Sequence, residues 1–246
     1  AALEYGQRLE KMREKYKVVA LLPMKAHSER IKDKNFKLFA GRPLFHWVLD
    51  TLISIECIEK IVINTDARQI LSHNGFTEND RIIIRDRTDN LCGDFVSMNK
   101  IIEDDIEEVD SEIYIMTHTT NPLLSNSTID DAVKDYKVKS KNDDYDSLFS
   151  VNKFQTRFYK TDGTPVNHDP KELQRTQDLE IWYEENSALY IFNKNSFQLT
   201  NSRIGKKPFL LETPLLESMD IDDKQGWAHA EIIKLSSLVN SAYKAV

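Results

Sequence analysis

Glycine is scarce in this chain, at 7 of 246 residues, and none lies between Val18 and Asn35. A Walker A loop needs glycines there to let backbone N–H groups wrap a phosphate, so a P-loop NTPase is excluded. Cysteine is scarcer still. Cys57 and Cys92 provide no disulfide framework and no zinc-ligand spacing, and a reducing cytoplasm is the simplest compartment for them. No apolar run approaches the roughly 18 residues that a membrane-spanning helix requires. A basic balance is also missing. The formal net charge is −7, which argues against general binding of nucleic acid.

What is present is enough for a folded core. With 40% hydrophobic and 30% charged residues, the chain fits one large domain or a domain with a small lobe. Residues 1–16 read as an N-terminal extension, either a short charged surface helix or in part a non-native tail. They are too charged for a signal peptide. The apolar runs "VVALL", "KIVINT", "RIIIR", "EIYIM" and "DSLFSV" read as buried strands. Between them "GRPLFHWVLDTLISI", "ARQILSHNG", "FVSMNKIIEDDI" and "NSTIDDAVKDY" carry helical spacing, with Pro43 in a first turn and Gly75 as a stop. Alternating strands and helices predict an α/β fold with a mainly parallel sheet flanked by helices, spanning 17–246 as a single domain.

The alternation breaks after about Val151. Residues 152–185 contain a hairpin signal at Asp162-Gly163 and read as a small arm before "SALYIF" returns to the sheet. Near the end, "ESMDIDDKQGWAHAEIIKL" reads as a short strand, a turn and a closing helix.

Two stretches carry chemistry. Lys25, Arg30, Lys32 and Lys34 gather directly after "VVALL" in a chain that is otherwise acidic. Ligands of open parallel sheets bind beyond the carboxyl ends of strands. A loop holding Lys25, Ser28, Arg30 and Lys34 there is either a polyphosphate cradle or a solvated basic loop. In "MDID", a strand would put Asp220 and Asp222 on one face, roughly 6–7 Å apart at Cα, an arrangement that suits Mg²⁺ shared with substrate phosphates. The competing reading is that Asp222 or Asp223 caps the following helix.

"LPMKAHSERIKDKNFKLFAGRPLFHWVL" is similar to the signature of the acylneuraminate cytidylyltransferases, the CMP-sialic acid synthetases. Lys25, Ser28, Lys34, Asn35, Gly41, Pro43 and Leu44 fit that pattern. Further along, "INTDARQI" with Asp66, "RTDNLCGDFVS" with Arg87, Leu91 and Asp94, "THTTNPLL", "RTQDLEIWYEENSALYIF" and "SMDID" follow in the family's order. The chain departs from the family at Lys25 (usually Arg), Glu29-Arg30 (usually Lys-Gly), His118 (usually Gln), Leu124 (usually Arg) and Ser187 (usually Gly). The resemblance implies a Rossmann-like nucleotidyltransferase fold and a homodimer made through the 152–185 arm.

It also implies transfer of CMP from CTP to the hydroxyl of an acidic sugar such as an N-acylneuraminate, with release of pyrophosphate. Lys25 and Lys34 would stabilise the phosphates, and Asp220 and Asp222 would hold Mg²⁺. Pro23, Ser28, Arg30, Asn35, Arg87 and Asp94 would line the nucleotide site. Arg175 would take the sugar carboxylate, with His118, Asn121, Gln177, Asn186 and Tyr190 around the sugar. Other acceptors, such as a 3-deoxy-octulosonate or a phosphonate, and a non-catalytic nucleotide-binding domain, are the alternatives. Trp47, Trp182 and Trp227 read as core or interface packing, "EDDIEEVDSE" as a solvated helix end, and both cysteines as inert core thiols.

Overall fold

The structure is a computed structural model that describes residues 15–244. The charged stretch 1–14 lies outside the described residues. The first strand, β1 (Tyr16–Leu21), is central, because its two faces are both covered. Val18 and Ala20 face one layer, Val19 and Leu21 the other. β4 (Lys60–Thr65) and β6 (Ser111–Thr117) flank it in parallel, and β5 (Ile82–Asp86) lies outside β4. Beyond β6 the sheet is extended by β7 (Ser147–Phe154), β8 (Trp182–Phe192) and β9 (Pro208–Glu212), giving the order β5-β4-β1-β6-β8-β7-β9. Among these seven strands only β8 runs against its neighbours.

Helices fill both sides. α1 (Leu44–Ile53), α2 (Arg68–His73) and α4 (Asn126–Asn142) pack their apolar stripes on one face through Phe45, Val48, Leu49, Leu71, Ile129 and Val133. α3 (Met98–Glu108) and α5 (Lys194–Thr200) cover the other with Ile102, Ile106 and Phe197. The Ser97 and Ser125 side chains accept from the N–H of Asn99 and Thr128, and Gly75, at φ 82°, follows α2.

Some expectations need correction. The "MDID" segment is not a strand. A 3₁₀ turn at Leu215–Ser218 leads into irregular extended chain through Asp220–Asp222, then α6 (Lys224–Lys244). That segment is held by a single backbone bond, from Ile221 N–H to Thr120 O at 3.0 Å, instead of a ladder. The acidic stretch after Glu103 is not wholly solvated, because Asp105 is buried against Arg85 and Asn64. The cysteines are half-buried, not core residues. Three elements were not anticipated: the short hairpin β2 (Leu38–Phe39) and β3 (Arg42–Pro43), α5, and β9.

The arm begins as a continuation of the sheet, with Phe154 opposite Trp182. Asp162-Gly163 does make a tight turn, yet only one bridge, Tyr159 to Pro165, joins its two sides. Gln155 ties the arm together by donating to the carbonyls of Gln177 and Leu179 at 2.8 and 2.9 Å.

Candidate active site

Strand order makes the site. The chain leaves β1 toward β4 on one side and returns to β6 on the other, so the loops after β1 and β6 diverge and leave a crevice at their carboxyl ends. A cavity of about 400 Å³ opens there. Pro23, Lys25, Ser28, Arg30, Lys34 and Asn35 of the basic loop line it, with Asp94, His118 and Asp222. All of these residues were singled out in the sequence, and the fold brings them together.

The loop is shaped by bonds to its neighbours. Leu22 and Met24 still donate to β4 carbonyls, at 2.9 and 3.0 Å, so the chain stays on the sheet past the end of β1. The Asp66 carboxylate accepts from Ala26 N–H at 2.7 Å. Asn35 is buried and straps the loop, donating to Lys25 O at 2.8 Å and accepting from the Thr119 hydroxyl at 2.6 Å. Asn35 therefore builds the cradle from below, with both ends of its amide engaged by protein.

The two aspartates are positioned by a small apolar cluster. Ile221 is buried with Ile31, Phe39, Leu44, Trp227 and Ala230, and Phe39 meets Trp227 edge-on at 5.4 Å. Burying Ile221 turns its neighbours the other way. Lys34, whose side chain is only 15% exposed, donates to Ile221 O at 2.9 Å and lies 3.9 Å from Asp222, which also meets Arg30 at 3.4 Å. Burial lowers the Lys34 pKa, opposed by Asp222 and Asp220. Burial raises that of Asp220, against a hydrogen bond with the Thr120 side chain. The helix cap is Asp223, whose Oδ1 accepts from Gly226 N–H at 2.7 Å. Asp222 is thereby left to the cations of the cleft.

Lys25 pairs with the exposed Asp94 across the mouth, and that contact lowers the Asp94 pKa. His118, at the end of β6, accepts at Nε2 from Arg203 at 3.2 Å, since a guanidinium can only donate. Burial, Arg203 and Lys34 push its pKa down to about 3, so it is neutral at physiological pH.

The remaining expected residues stand apart from the cavity. Arg87 is half-buried and grips Asn64, through Nε to Oδ1 at 2.9 Å and to the backbone carbonyl at 3.0 Å. Asn186 is satisfied internally by Ser150, Asn152 and Thr213. Tyr190 is buried, its hydroxyl donating to Glu185 and accepting from Arg203 at 3.0 Å. Asn121 is buried with neither amide atom bonded. Arg175 is held by Asp178 at 2.7 and 3.0 Å on the exposed arm, where Gln177 also sits. Residues not anticipated include Thr119 and Thr120, which lie in the "THTT" stretch already noted, and Arg203, for which only the basic run "RIGKK" was a signal.

The arrangement offers ammonium, guanidinium and hydroxyl donors for phosphate oxygens, facing the Asp222 carboxylate, while Asp220 is bonded to Thr120 and does not line the cavity. Mg²⁺ takes one or two protein carboxylates and completes its octahedron with water and phosphate oxygens. Among the described residues no cluster of three or more His, Cys, Asp or Glu side chains could cage a metal alone. Asp220 and Asp222 thus fit a metal that arrives with a phosphorylated ligand. No described helix is long and apolar enough to cross a membrane.

Comparisons with known proteins show the family and the fold. The chain is 27% identical over 229 residues to the CMP-N,N'-diacetyllegionaminic acid synthase of Legionella pneumophila, covering 87% of this chain and 95% of that protein. It is 26% identical to the pseudaminic acid cytidylyltransferase of Campylobacter jejuni, over 88% and 96% of the two chains. It is 23% identical to the N-acylneuraminate cytidylyltransferase of Escherichia coli, over 89% of this chain and 52% of that protein. Among solved structures, a CMP:2-keto-3-deoxy-manno-octonic acid synthetase complexed with CTP shares the fold, with a TM-score of 0.63 at 12% identity over 90% and 99% of the chains. The profile of the cytidylyltransferase family matches residues 19–238, and this chain belongs to that family.

Proposed function

We propose that this enzyme transfers CMP from CTP to a hydroxyl of a nonulosonic acid of the legionaminic, pseudaminic or neuraminic kind. The observation that carries the reading is the convergence of the basic loop and the Asp220–Asp222 segment on one crevice, in a chain whose relatives carry those names. The acceptor oxygen attacks the α-phosphorus of CTP and forms the new O–P bond. The bond from that phosphorus to the bridging oxygen breaks, and pyrophosphate leaves with the electron pair. The proton of the hydroxyl passes to solvent.

Each group in the crevice has a part in that step. Lys25, Ser28, Arg30 and Lys34 hold phosphate oxygens and counter the charge that develops on pyrophosphate. Asp220 and Asp222 would hold Mg²⁺, which supplies Lewis-acid stabilisation of the phosphates when bound. Lys34 also acts structurally, because its bond to Ile221 O keeps the aspartate segment against the loop. Lys25 must leave Asp94 to reach a phosphate, so nucleotide binding exchanges one carboxylate for another anion. Arg87 and Asn35 support the nucleotide site from behind through Asn64 and Thr119. We place the reaction in the cytoplasm and the enzyme in a homodimer, in which Arg175 and Gln177 of one arm would reach the acceptor site of the other copy.

Pyrophosphate release is the test. The four ribonucleoside triphosphates are each offered with Mg²⁺ and with N,N'-diacetyllegionaminate, pseudaminate, N-acetylneuraminate or a 3-deoxy-octulosonate. The expected result is release with CTP and a nonulosonic acid only, and thermal stabilisation by CTP above the other nucleotides. Equal stabilisation by all four, or release that ignores the acid, would overturn the reading. Preference for the octulosonate would move the acceptor class.

A further inference from the structure

Arg203 makes no direct ion pair among the described residues, and the nearest carboxylate, Glu185, reaches it only through Tyr190. It follows α5, whose last turn ends on Asn201 in the left-handed region at φ 51°. Its backbone N–H donates to Asn99 Oδ1 at 3.2 Å, which fixes the loop against the start of α3. The side chain then lies over the paired strands β6 and β8. One terminal nitrogen faces His118 Nε2 at 3.2 Å and Met116 Sδ at 3.3 Å; the other donates to the Tyr190 hydroxyl at 3.0 Å. The guanidinium lies over the Tyr190 ring, 3.7 Å from its centroid.

All of these partners are neutral. Glu185, the nearby carboxylate, accepts from the Tyr190 hydroxyl and supports the Arg203 charge at a distance, without a direct ion pair. The contrast within the fold is Arg85, which meets Asp104 at 2.8 Å and Asp105 at 2.6 Å. Burial lowers the Arg203 pKa, yet a guanidinium remains charged at any physiological pH. A half-buried cation that no carboxylate touches directly is costly, and a bound anion offsets that cost.

The bond to His118 carries this charge to the cleft. Arginine has no acceptor, so Nε2 of His118 must present its lone pair and the proton is assigned to Nδ1. His118 lines the cavity beside Lys34 and Thr119. The wall of the cleft thus presents a neutral imidazole donor with a guanidinium immediately behind it, on the β8 side of β6. The phosphate donors Lys25, Ser28 and Arg30 belong to the β1 loop on the other side.

We propose that His118 is the contact, and Arg203 the positioning residue and source of positive potential, for the carboxylate of the acceptor acid. This rests on the acidic-sugar reading above. The assignment lies within one chain. Arg175, by contrast, is already held by Asp178 on the exposed arm.

The test compares each acid of the panel with its C1 methyl ester, as substrate or competitive inhibitor, in wild type, Arg203→Gln, Arg203→Lys and Arg175→Ala. Arg203→Gln is expected to weaken the acid by about 10- to 100-fold, the range for a charge-assisted bond. The ester and CTP should change little, so the preference for acid over ester collapses. Arg203→Lys keeps the charge and should recover part of that preference, and Arg175→Ala should retain it. If Arg203→Gln shows no cooperative melt, His118→Leu decides, with the same acid-selective loss expected. A merely structural Arg203 predicts acid and ester weakened together, or neither. Should wild type accept no acid at all, the acceptor reading fails and this inference with it. Should wild type accept the acids while Arg203→Gln keeps their preference over esters, this inference alone fails.

Discussion

Asp222 and Asp223 are adjacent carboxylates with different roles, and the difference rests on where each side chain ends. Asp223 accepts from Gly226 N–H and starts α6. Asp222 faces Arg30 and Lys34 across the cleft. The two replacements should therefore separate. Asp222→Asn removes the charge proposed to hold Mg²⁺ and leaves the cap, so turnover at limiting Mg²⁺ should fall by orders of magnitude with an unchanged melting temperature. Asp223→Ala should cost about 1 kcal/mol of stability, with turnover largely kept. Near-normal turnover in Asp222→Asn would move the metal away from this residue. Ser187 shows the same dependence on place. The family usually has glycine there, and Ser187 holds a left-handed φ of 59°, the conformation glycine adopts without strain.

At the scale of elements, α3 carries the least expected feature. Its sequence reads as an acidic, solvated helix end, yet Asp105 turns inward to Asn64 and Arg85 at 2.8 and 2.6 Å. Asn64 in turn receives Arg87, so one buried network runs from α3 through β4 to the predicted nucleotide side. Burial outweighs the Arg85 contact and pushes the Asp105 pKa up to about 6. A carboxyl whose folded pKa lies above its unfolded value contributes stability below about pH 3.9 that is lost as pH rises through about 6. Urea midpoints of wild type and Asp105→Asn should therefore shift relative to one another in favour of the variant between about pH 4 and 6, and run parallel above. A shift the other way would mean that Arg85 keeps Asp105 ionised throughout.

For the whole molecule, the proposed homodimer is best placed on the arm side of the sheet. Tyr183, Leu215 and Leu216 are 48%, 68% and 58% exposed, and Leu210 on the edge strand β9 is 38% exposed. β8 touches the turn that carries Leu215 and Leu216, so these side chains lie on neighbouring elements. An apolar area of this kind beside an edge strand favours pairing with another chain. Light scattering at micromolar concentration should give the mass of two chains, and Tyr183→Asp with Leu216→Asp should give the mass of one. A monomeric wild type with full activity would end the dimer proposal and, with it, any part for Arg175 in a neighbouring site.

Much of the fold was legible because its signals are local. Continuous apolar runs mark strands covered on both faces, as in β1 and β4, and Gly75 marks a helix end by its backbone preference. The basic loop and the aspartate pair were legible for the same reason, since residue type and spacing carry their chemistry. Sequence could not say which carboxylate caps α6, because capping depends on the direction in which Ile221 is buried. Nor could it separate Asn35 and Asn186, whose amides are consumed by protein partners, from side chains free to meet a ligand. Arg203 lies 85 residues from His118 along the chain, and only the closing of β8 against β6 brings the two together. Contacts of that range carry no local pattern, so the tertiary structure alone decided them.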